Sequence, residues 1–307
     1  MKRLLVGCAA VLLVAVVAFY LLTTPQRLDT AALVDEASTD ATRGEAVFWA
    51  GGCASCHAAP KAEGEAKLLL GGGEPLVTPF GTFHAPNISS DKANGLGDWS
   101  YADFANAMQR GVARDGSPLY PAFPYPSYIR MTPRDVGDLW AYLKTLPAVA
   151  EAAPPNDLAF PFNLRRGVAL WQRVFLDPAP VVTLAADVSD AVKRGQYLVE
   201  GPGHCGECHT PRQLGGAGGL DKARWLGGAP NPAGKGNVPN ITPGGSVADW
   251  SEDDLASYFE TGFTPDYDSV GGAMVEVQEN LAKLPPADRE AIAAYLKAVP
   301  AVSAPGT

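Results

Sequence analysis

Histidine, methionine and cysteine are all scarce in this sequence of 307 residues, which contains four histidines, four methionines and five cysteines. Four of the cysteines belong to two short motifs, so none remains to build a disulfide framework. The formal net charge is −9, and nucleic acid is therefore not expected as a partner. Proline and glycine are abundant instead, with 27 and 33 residues, which indicates much ordered loop wrapped around a ligand.

The two motifs are Cys53-Ala54-Ser55-Cys56-His57 and Cys205-Gly206-Glu207-Cys208-His209, called here the first and second haem motifs. Each has the form C-x-x-C-H, the attachment signal for c-type haem. The two thiols add to the porphyrin vinyl groups, and the following histidine becomes the proximal iron ligand. A zinc site or a redox dithiol would not need that histidine. The motifs therefore predict two covalently bound haem c groups, attached through Cys53, Cys56, Cys205 and Cys208, with His57 and His209 as iron ligands.

An internal repeat surrounds the motifs. Pro86-Asn87-Ile88-Ser89 follows the first motif, and Pro239-Asn240-Ile241-Thr242 follows the second at nearly the same distance. Arg-Gly pairs at 43–44 and 194–195 begin a predicted helix before each motif, where the glycine would allow close approach to the last helix of each half. Thr132 is a suitable N-cap for the last helix of the first half. Each half is thus predicted to be a small helical unit.

The N-terminus begins Met-Lys-Arg, and an unbroken apolar run covers residues 4–22. As a helix this run would span about 28 Å, close to the hydrocarbon thickness of a bilayer. The basic start favours a cytoplasmic N-terminus with the rest of the chain exported. A cleaved signal peptide with a Val16-x-Ala18 site is the competing interpretation. Because the run continues past that site, an uncleaved anchor is predicted.

The sixth iron ligands are sought among the few remaining methionines and histidines. Met274 follows a predicted middle helix in a glycine-rich loop, before the final helix, and is predicted to bind the second iron. The equivalent position of the first half is Phe123, which has no donor atom. Met131 is the preferred ligand there, with Met108, His84 or an open iron as alternatives. His204 directly precedes Cys205 and is expected to be exposed beside the haem edge.

Five ranges follow from these features: a signal-anchor transmembrane helix at 1–23, a tether at 24–40, a first haem-binding domain at 41–150, a connector at 151–190, and a second haem-binding domain at 191–307. The connector has too many apolar residues to stay solvated, so it is expected to be ordered. Arg165 and Arg166 within it are expected to form a solvated surface pair, although haem propionates are possible partners.

With these residues in view, the chain resembles the diheme cytochrome c family of exported bacterial electron carriers, which includes cytochrome subunits of membrane-bound alcohol and sugar-acid dehydrogenases. The pieces that carry the resemblance, besides the haem motifs, are Pro86-Asn87-Ile88, Trp99-Ser100-x-x-Asp103-Phe104, Tyr120-Pro121-Ala122-Phe123-Pro124-Tyr125, Phe160-Pro161-Phe162-Asn163 and Glu200-Gly201-Pro202-Gly203-His204-Cys205. The resemblance implies class I cytochrome c domains, His/Met irons and electron transfer between a dehydrogenase and an oxidase. Many relatives have Met where Phe123 stands.

The resulting expectation is an all-α chain of two tandem class I cytochrome c domains with an ordered connector and an N-terminal transmembrane helix. It would be a membrane-tethered periplasmic electron carrier of the inner membrane rather than an enzyme. Its expected partners are a dehydrogenase donor and a cytochrome or oxidase acceptor. The alternative is a diheme redox enzyme, of the peroxidase or thiosulfate-oxidising type, that uses an open or weakly ligated first haem.

Overall fold

A computed structural model describes residues 2–231, 234 and 236–303. Met1 and residues 304–307, the outer ends of the predicted ranges 1–23 and 191–307, lie outside the described residues. The helices are α1 Lys2–Leu22, α2 Ala41–Ala50, α3 Cys53–His57, α4 Tyr101–Arg110, α5 Tyr125–Tyr128, α6 Pro133–Leu143, α7 Val168–Phe175, α8 Asp190–Glu200, α9 Gly206–His209, α10 Glu252–Thr261, α11 Met274–Leu281 and α12 Pro286–Ala298. The strands are β1 Pro75–Thr78, β2 Gly81–His84, β3 Asp157–Leu158, β4 Ala229–Pro230 and β5 Asn237–Val238.

Two helix pairs form the framework of the two halves. Helix α2 packs against α6, and α8 packs in the same way against α12. Each crossing is made at a glycine: a Cβ on Gly44 would lie 2.0 Å from the Asp138 carbonyl oxygen, and one on Gly195 would lie 1.9 Å from that of Ala291. The expected close approach at both Arg-Gly pairs is confirmed. Only a residue without a side chain permits these crossings.

N-cap residues set where the middle helices and the final helix of the first half begin. Ser100 and Ser251 each form a capping box with the acidic residue three positions later, Asp103 and Asp254. Thr132 caps α6, as predicted, by accepting a hydrogen bond from the backbone N–H of Asp135. Helices α4 and α10 therefore start at equivalent places in the repeat.

Small sheets interrupt the helical architecture, so the all-α expectation was incomplete. Strands β1, β2 and β3 form an antiparallel sheet in which Leu76 pairs with Phe83 and Thr82 pairs with Asp157. Strands β4 and β5 form a second antiparallel pair, with Ala229 opposite Val238. Pairing satisfies backbone groups of long loops that no helix can satisfy. Because β3 belongs to the range 151–190, the first sheet also ties that segment to the first half.

Residues 24–40, predicted to be a tether, are packed onto the first half instead. The backbone N–H of Leu28 donates to Asn106 Oδ1 over 2.8 Å, and Arg134 Nη1 donates to the Ser38 carbonyl over 2.7 Å. Trp140 Nε1 also donates to Glu36 Oε1, at 3.0 Å. Polar partners on α4 and α6 therefore hold this segment against the first half. These partners are distant in the chain, so local sequence patterns do not indicate them.

Helix α1 is long and apolar enough to cross a membrane, and its described side chains are almost all exposed. A signal sequence near an N-terminus has the same length and composition. Thr23, the residue after α1, is fully buried, so the helix ends in contact with the body of the protein.

Candidate haem sites

The haem motifs form short helices at equivalent positions of the two halves. The turn after α2 leads directly into α3, which contains Cys53, Cys56 and His57. Helix α9 carries Cys208 and His209, and Cys205 is its N-cap. In each case the framework helix that crosses at a glycine is followed within a few residues by the motif. The crossings α2–α6 and α8–α12 therefore set the position of both motifs.

Both motif histidines are held by the same contact. The Nδ1 atom of His57 lies 2.8 Å from the carbonyl oxygen of Pro86, and that of His209 lies 2.8 Å from the carbonyl oxygen of Pro239. A carbonyl can only accept, so Nδ1 carries the proton and Nε2 keeps its lone pair for a metal. Burial lowers the pKa of both rings, which favours this neutral form. The two sites fit the proximal side of a haem iron.

The motif thiols have raised pKa values, although the side chains of Cys56 and Cys208 are exposed. Burial raises the pKa of Cys53 and of Cys205 to about 12. Burial also raises the pKa of Cys56, with smaller contributions from Glu74 and Cys208. Redox dithiols instead have a lowered pKa. The thiols therefore fit attachment of a cofactor better than the dithiol alternative.

The candidates for the sixth ligand differ in burial and in secondary structure. Met274 is half-buried and is the first residue of α11, not a loop residue as expected, because the helix begins directly after its N-cap Ala273. Met131 is 3% exposed and lies just before the cap of α6; Met108, on α4, is also buried. His84 lies in β2, with Nδ1 3.1 Å from the Pro155 carbonyl. Iron ligation by Met274 and Met131 stays a prediction.

The two haem motifs meet the opposite half through matched hydrogen bonds. Asn280 Nδ2, at the end of α11, donates to Ser55 Oγ over 2.7 Å, and Ser127 Oγ, in α5, donates to Glu207 Oε1 over 2.9 Å. Ser55 and Glu207 hold the same position in their motifs. Ser127 and Asn280 likewise precede α6 and α12 by the same number of residues. Each motif is thus fastened to the equivalent segment of the other half.

Tyr128 and His204 lie within this contact between the halves. Their rings are 5.6 Å apart, and Tyr128 Oη donates to the Gly51 carbonyl, next to the first motif, over 3.2 Å. The Nδ1 atom of His204 is buried without a hydrogen-bond partner, and burial lowers the pKa of the ring. The expectation of an exposed His204 was wrong because α5 of the other half covers it.

Two further residues shape the second site, and their roles were not predicted. Glu200 is buried at the end of α8, where its carboxylate accepts from the Val181 N–H and from Tyr295 Oη, each over 2.6 Å. Trp225 packs on the second motif so closely that a Cβ on Gly206 would lie 2.1 Å from the indole ring. Glu200 stood in a segment that carried the family resemblance, which was the only sequence signal for it.

The chain is similar in sequence to known proteins. The sequence profile of the family described as Cytochrome c matches residues 41–147. A protein of Cereibacter sphaeroides described as "Diheme cytochrome c-type" is 52% identical over 305 residues, covering 98% of this chain and 100% of that relative.

Several relatives are subunits of dehydrogenases. The gluconate 2-dehydrogenase cytochrome c subunit of Pantoea cypripedii is 37% identical over 91% of this chain and 64% of its own length. The fructose dehydrogenase cytochrome subunit of Gluconobacter japonicus is 35% identical over 86% of this chain and 54% of its own length. The chain thus spans between about half and two thirds of these two subunits.

The two C-x-x-C-H motifs, their paired His–carbonyl contacts and these similarities lead to one conclusion. The protein carries two covalently bound haem c groups and transfers electrons, and it belongs to the diheme cytochrome c family.

Proposed function

We propose that the protein is a membrane-tethered periplasmic diheme cytochrome c that transfers electrons one at a time between a dehydrogenase and a respiratory acceptor. Residues 41–150 and 191–307 are proposed as its two class I cytochrome c domains, joined by an ordered connector at 151–190. The observation that carries this proposal is the pair of equal His–carbonyl contacts, each 2.8 Å, on motifs that both contact the other half.

Each site fixes the orientation and the protonation of its histidine. The carbonyls of Pro86 and Pro239 accept hydrogen bonds from the Nδ1–H groups, which leaves each Nε2 free as a metal ligand. Met131 and Met274 are proposed as the thioether ligands. When bound, the haem would supply one-electron redox chemistry, and His/Met ligation would favour a high potential. With both ligands supplied by the protein, no position would remain for a substrate, so no catalytic residue is proposed.

The contact between the halves is the proposed electron route. Asn280 and Ser127 bind the third residue of each motif, which directly precedes its second cysteine, so each motif contacts the other half there. Cys208 is near enough to Cys56 to contribute to the raised pKa of that thiol. The thioether edges of the two cofactors are therefore proposed to be neighbours. An electron entering at either half would cross there.

The proposed partners follow from the relatives. Cytochrome subunits of gluconate and fructose dehydrogenases are among them, which supports a dehydrogenase as electron donor. The proposed acceptor is a cytochrome or an oxidase of the respiratory chain. Helix α1 is proposed to remain as an anchor in the inner membrane, with both haem sites in the periplasm.

The ligand proposal is tested by single substitutions of the candidate methionines. We expect Met274→Ala and Met131→Ala each to remove one sulfur-to-iron band in the far red of the oxidised spectrum. Met108→Leu is the matched control, since it changes a methionine that is equally buried but is not the proposed ligand. Loss of the band in the control, with retention in Met131→Ala, would reject Met131. Rapid cyanide binding by the native protein would contradict two six-coordinate sites and favour the enzyme alternative.

A further inference from the structure

One segment of the connector departs from the acidic character of the chain. Between Asp157 and Asp177 the sequence has three arginines and no acidic residue, whereas the whole chain has a net charge of −9. The same segment exposes large apolar side chains, which are Phe160 at 77%, Phe162 at 43%, Leu164 at 58%, Leu170 at 38% and Val174 at 72%. Basic and apolar groups on one exposed surface are typical of segments that bind a membrane surface.

Helix α7, with the turn before it, arranges part of this segment in one stripe. Arg166, Leu170, Arg173 and Val174 are spaced as i, i+4, i+7 and i+8, so they share a helix face. Beside the stripe the helix is held by the protein: Ala169 and Gln172 are buried, and Gln172 Nε2 donates to the Gly111 carbonyl over 2.9 Å. The four residues of the stripe are themselves exposed.

Both arginines of the stripe bind the end of α1. Arg166 donates from Nε to Thr23 Oγ1 over 2.7 Å and from Nη2 to the Tyr20 carbonyl over 3.1 Å. Arg173 donates to the carbonyls of Leu22 and Thr24. Cations are favourable at these carbonyls because the C-terminus of a helix carries partial negative charge. The guanidinium of Arg166 also lies 4.3 Å from the centre of the Tyr20 ring.

These contacts set the depth of the stripe relative to a bilayer. The 21 residues of α1 are about 31 Å long, which matches the hydrocarbon core. Tyr20 and Leu22 then lie at the outer boundary of that core, where tyrosine is commonly found. Leu170 lies on the helix face between two arginines that contact this boundary, and Val174 follows. Thr23, directly after α1, is fully buried and accepts the hydrogen bond from Arg166, which joins the end of α1 to the turn before α7.

We infer that α7 lies in the lipid headgroup layer, with Leu170 and Val174 inserted at the acyl boundary and the two stripe arginines facing lipid phosphates. The inference rests on the proposed anchoring by α1. Each arginine makes two hydrogen bonds to the α1 end and has five N–H groups, which leaves donors for phosphate. The positive stripe complements anionic lipid in an otherwise acidic protein. The protein is therefore held on the membrane at two points, in one orientation.

The test places a nitroxide at the stripe of the full-length, haem-loaded protein. In a Cys8→Ala background, Val174→Cys is labelled and the protein is reconstituted into vesicles of phosphatidylcholine and phosphatidylglycerol. Dissolved oxygen, which concentrates in lipid, should relax this label more than a water-soluble nickel complex does. The matched control is a label at Asp190→Cys, a side chain that is 99% exposed, where the nickel complex should dominate.

Three results would overturn the inference, and they are distinguishable. If the label at 174 responds like the control while the protein still floats with carbonate-washed vesicles, anchoring stands and the stripe is not in lipid. If the protein does not float, the anchoring proposal fails and the inference fails with it. If the label at 174 becomes protected only when a dehydrogenase is added, the stripe is a docking surface for a protein.

Discussion

Substitution of Gly195 by alanine should separate the two helices that support the second haem motif. The added Cβ would lie 1.9 Å from the Ala291 carbonyl oxygen and 2.7 Å from Tyr295 Cβ, far inside ordinary contact distance. Both contacting atoms belong to α12 close to its axis, so no rotation of a side chain relieves the overlap. Helices α8 and α12 must move apart by about 1 Å or more, and a close-packed interior resists such movement.

The size of the effect follows from two opposing terms. Overpacking of this kind costs about 1–3 kcal/mol, and a clash with backbone belongs at the upper end of that range. Alanine gains about 1 kcal/mol over glycine through helix propensity. We therefore expect a net loss of about 2 kcal/mol in the free energy of unfolding. The shift of Tyr295 should also weaken its hydrogen bond to Glu200, the last residue of α8, which precedes the second motif.

The assay is guanidinium unfolding of the detergent-solubilised, haem-loaded protein, followed by helical circular dichroism and by the haem spectrum. Gly167→Ala is the matched control, because Gly167 has helical backbone angles and open space where a Cβ would lie. That variant should be unchanged or slightly more stable. Gly44→Ala should repeat the loss in the first half, where the added Cβ would lie 2.0 Å from the Asp138 carbonyl oxygen. Equal midpoints for Gly195→Ala and Gly167→Ala would refute the argument.

Two further predictions concern the contact between the halves. Asn280→Ala should slow electron exchange between the haems, and a double-mutant cycle with Ser55→Ala should give a coupling of about 1 kcal/mol on stability; purely additive effects would show that the bond does not link the halves. Burial lowers the pKa of His204 in the folded protein. Below about pH 6.5 the unfolded chain therefore binds a proton at this residue more readily than the folded protein does, and stability should fall. His204→Gln should reduce the loss of unfolding free energy between about pH 7.5 and about 5.5 by about 1 kcal/mol, and an unchanged pH dependence in chemical unfolding would contradict this assignment.

Local patterns in the sequence were sufficient to predict most of the framework. The haem motifs, the glycine crossings and the Thr132 cap each depend on residues close in the chain or on a repeat that shows them twice. The repeat also aligned Pro86 with Pro239, but it could not reveal their role. Their carbonyls act on the histidines through backbone, which leaves no residue-type signal.

The contacts that were not predicted have a common physical cause. Residues 24–40 are polar, and partners on α4 and α6 that are distant in the chain bind them. His204 looked exposed because its own half offers nothing to cover it, and Tyr128 covers it from the other half. Periodicity and spacing in the sequence do not indicate contacts between distant parts of the chain. For the same reason the link between Ser55 and Asn280 could not be foreseen.

The matched hydrogen bonds between the halves have the form of an isologous interface. In a twofold-symmetric dimer, residue i of one subunit contacts residue j of the other, and j contacts i in return. Here the third residue of each motif binds the segment that precedes the last helix of the other half. The two pairs are Ser55 with Asn280 and Glu207 with Ser127. The arrangement is that of a closed dimer whose subunits are joined in a single chain. Both complementary surfaces are already occupied within one chain. Further copies of the chain therefore cannot add to this contact and extend it into a filament.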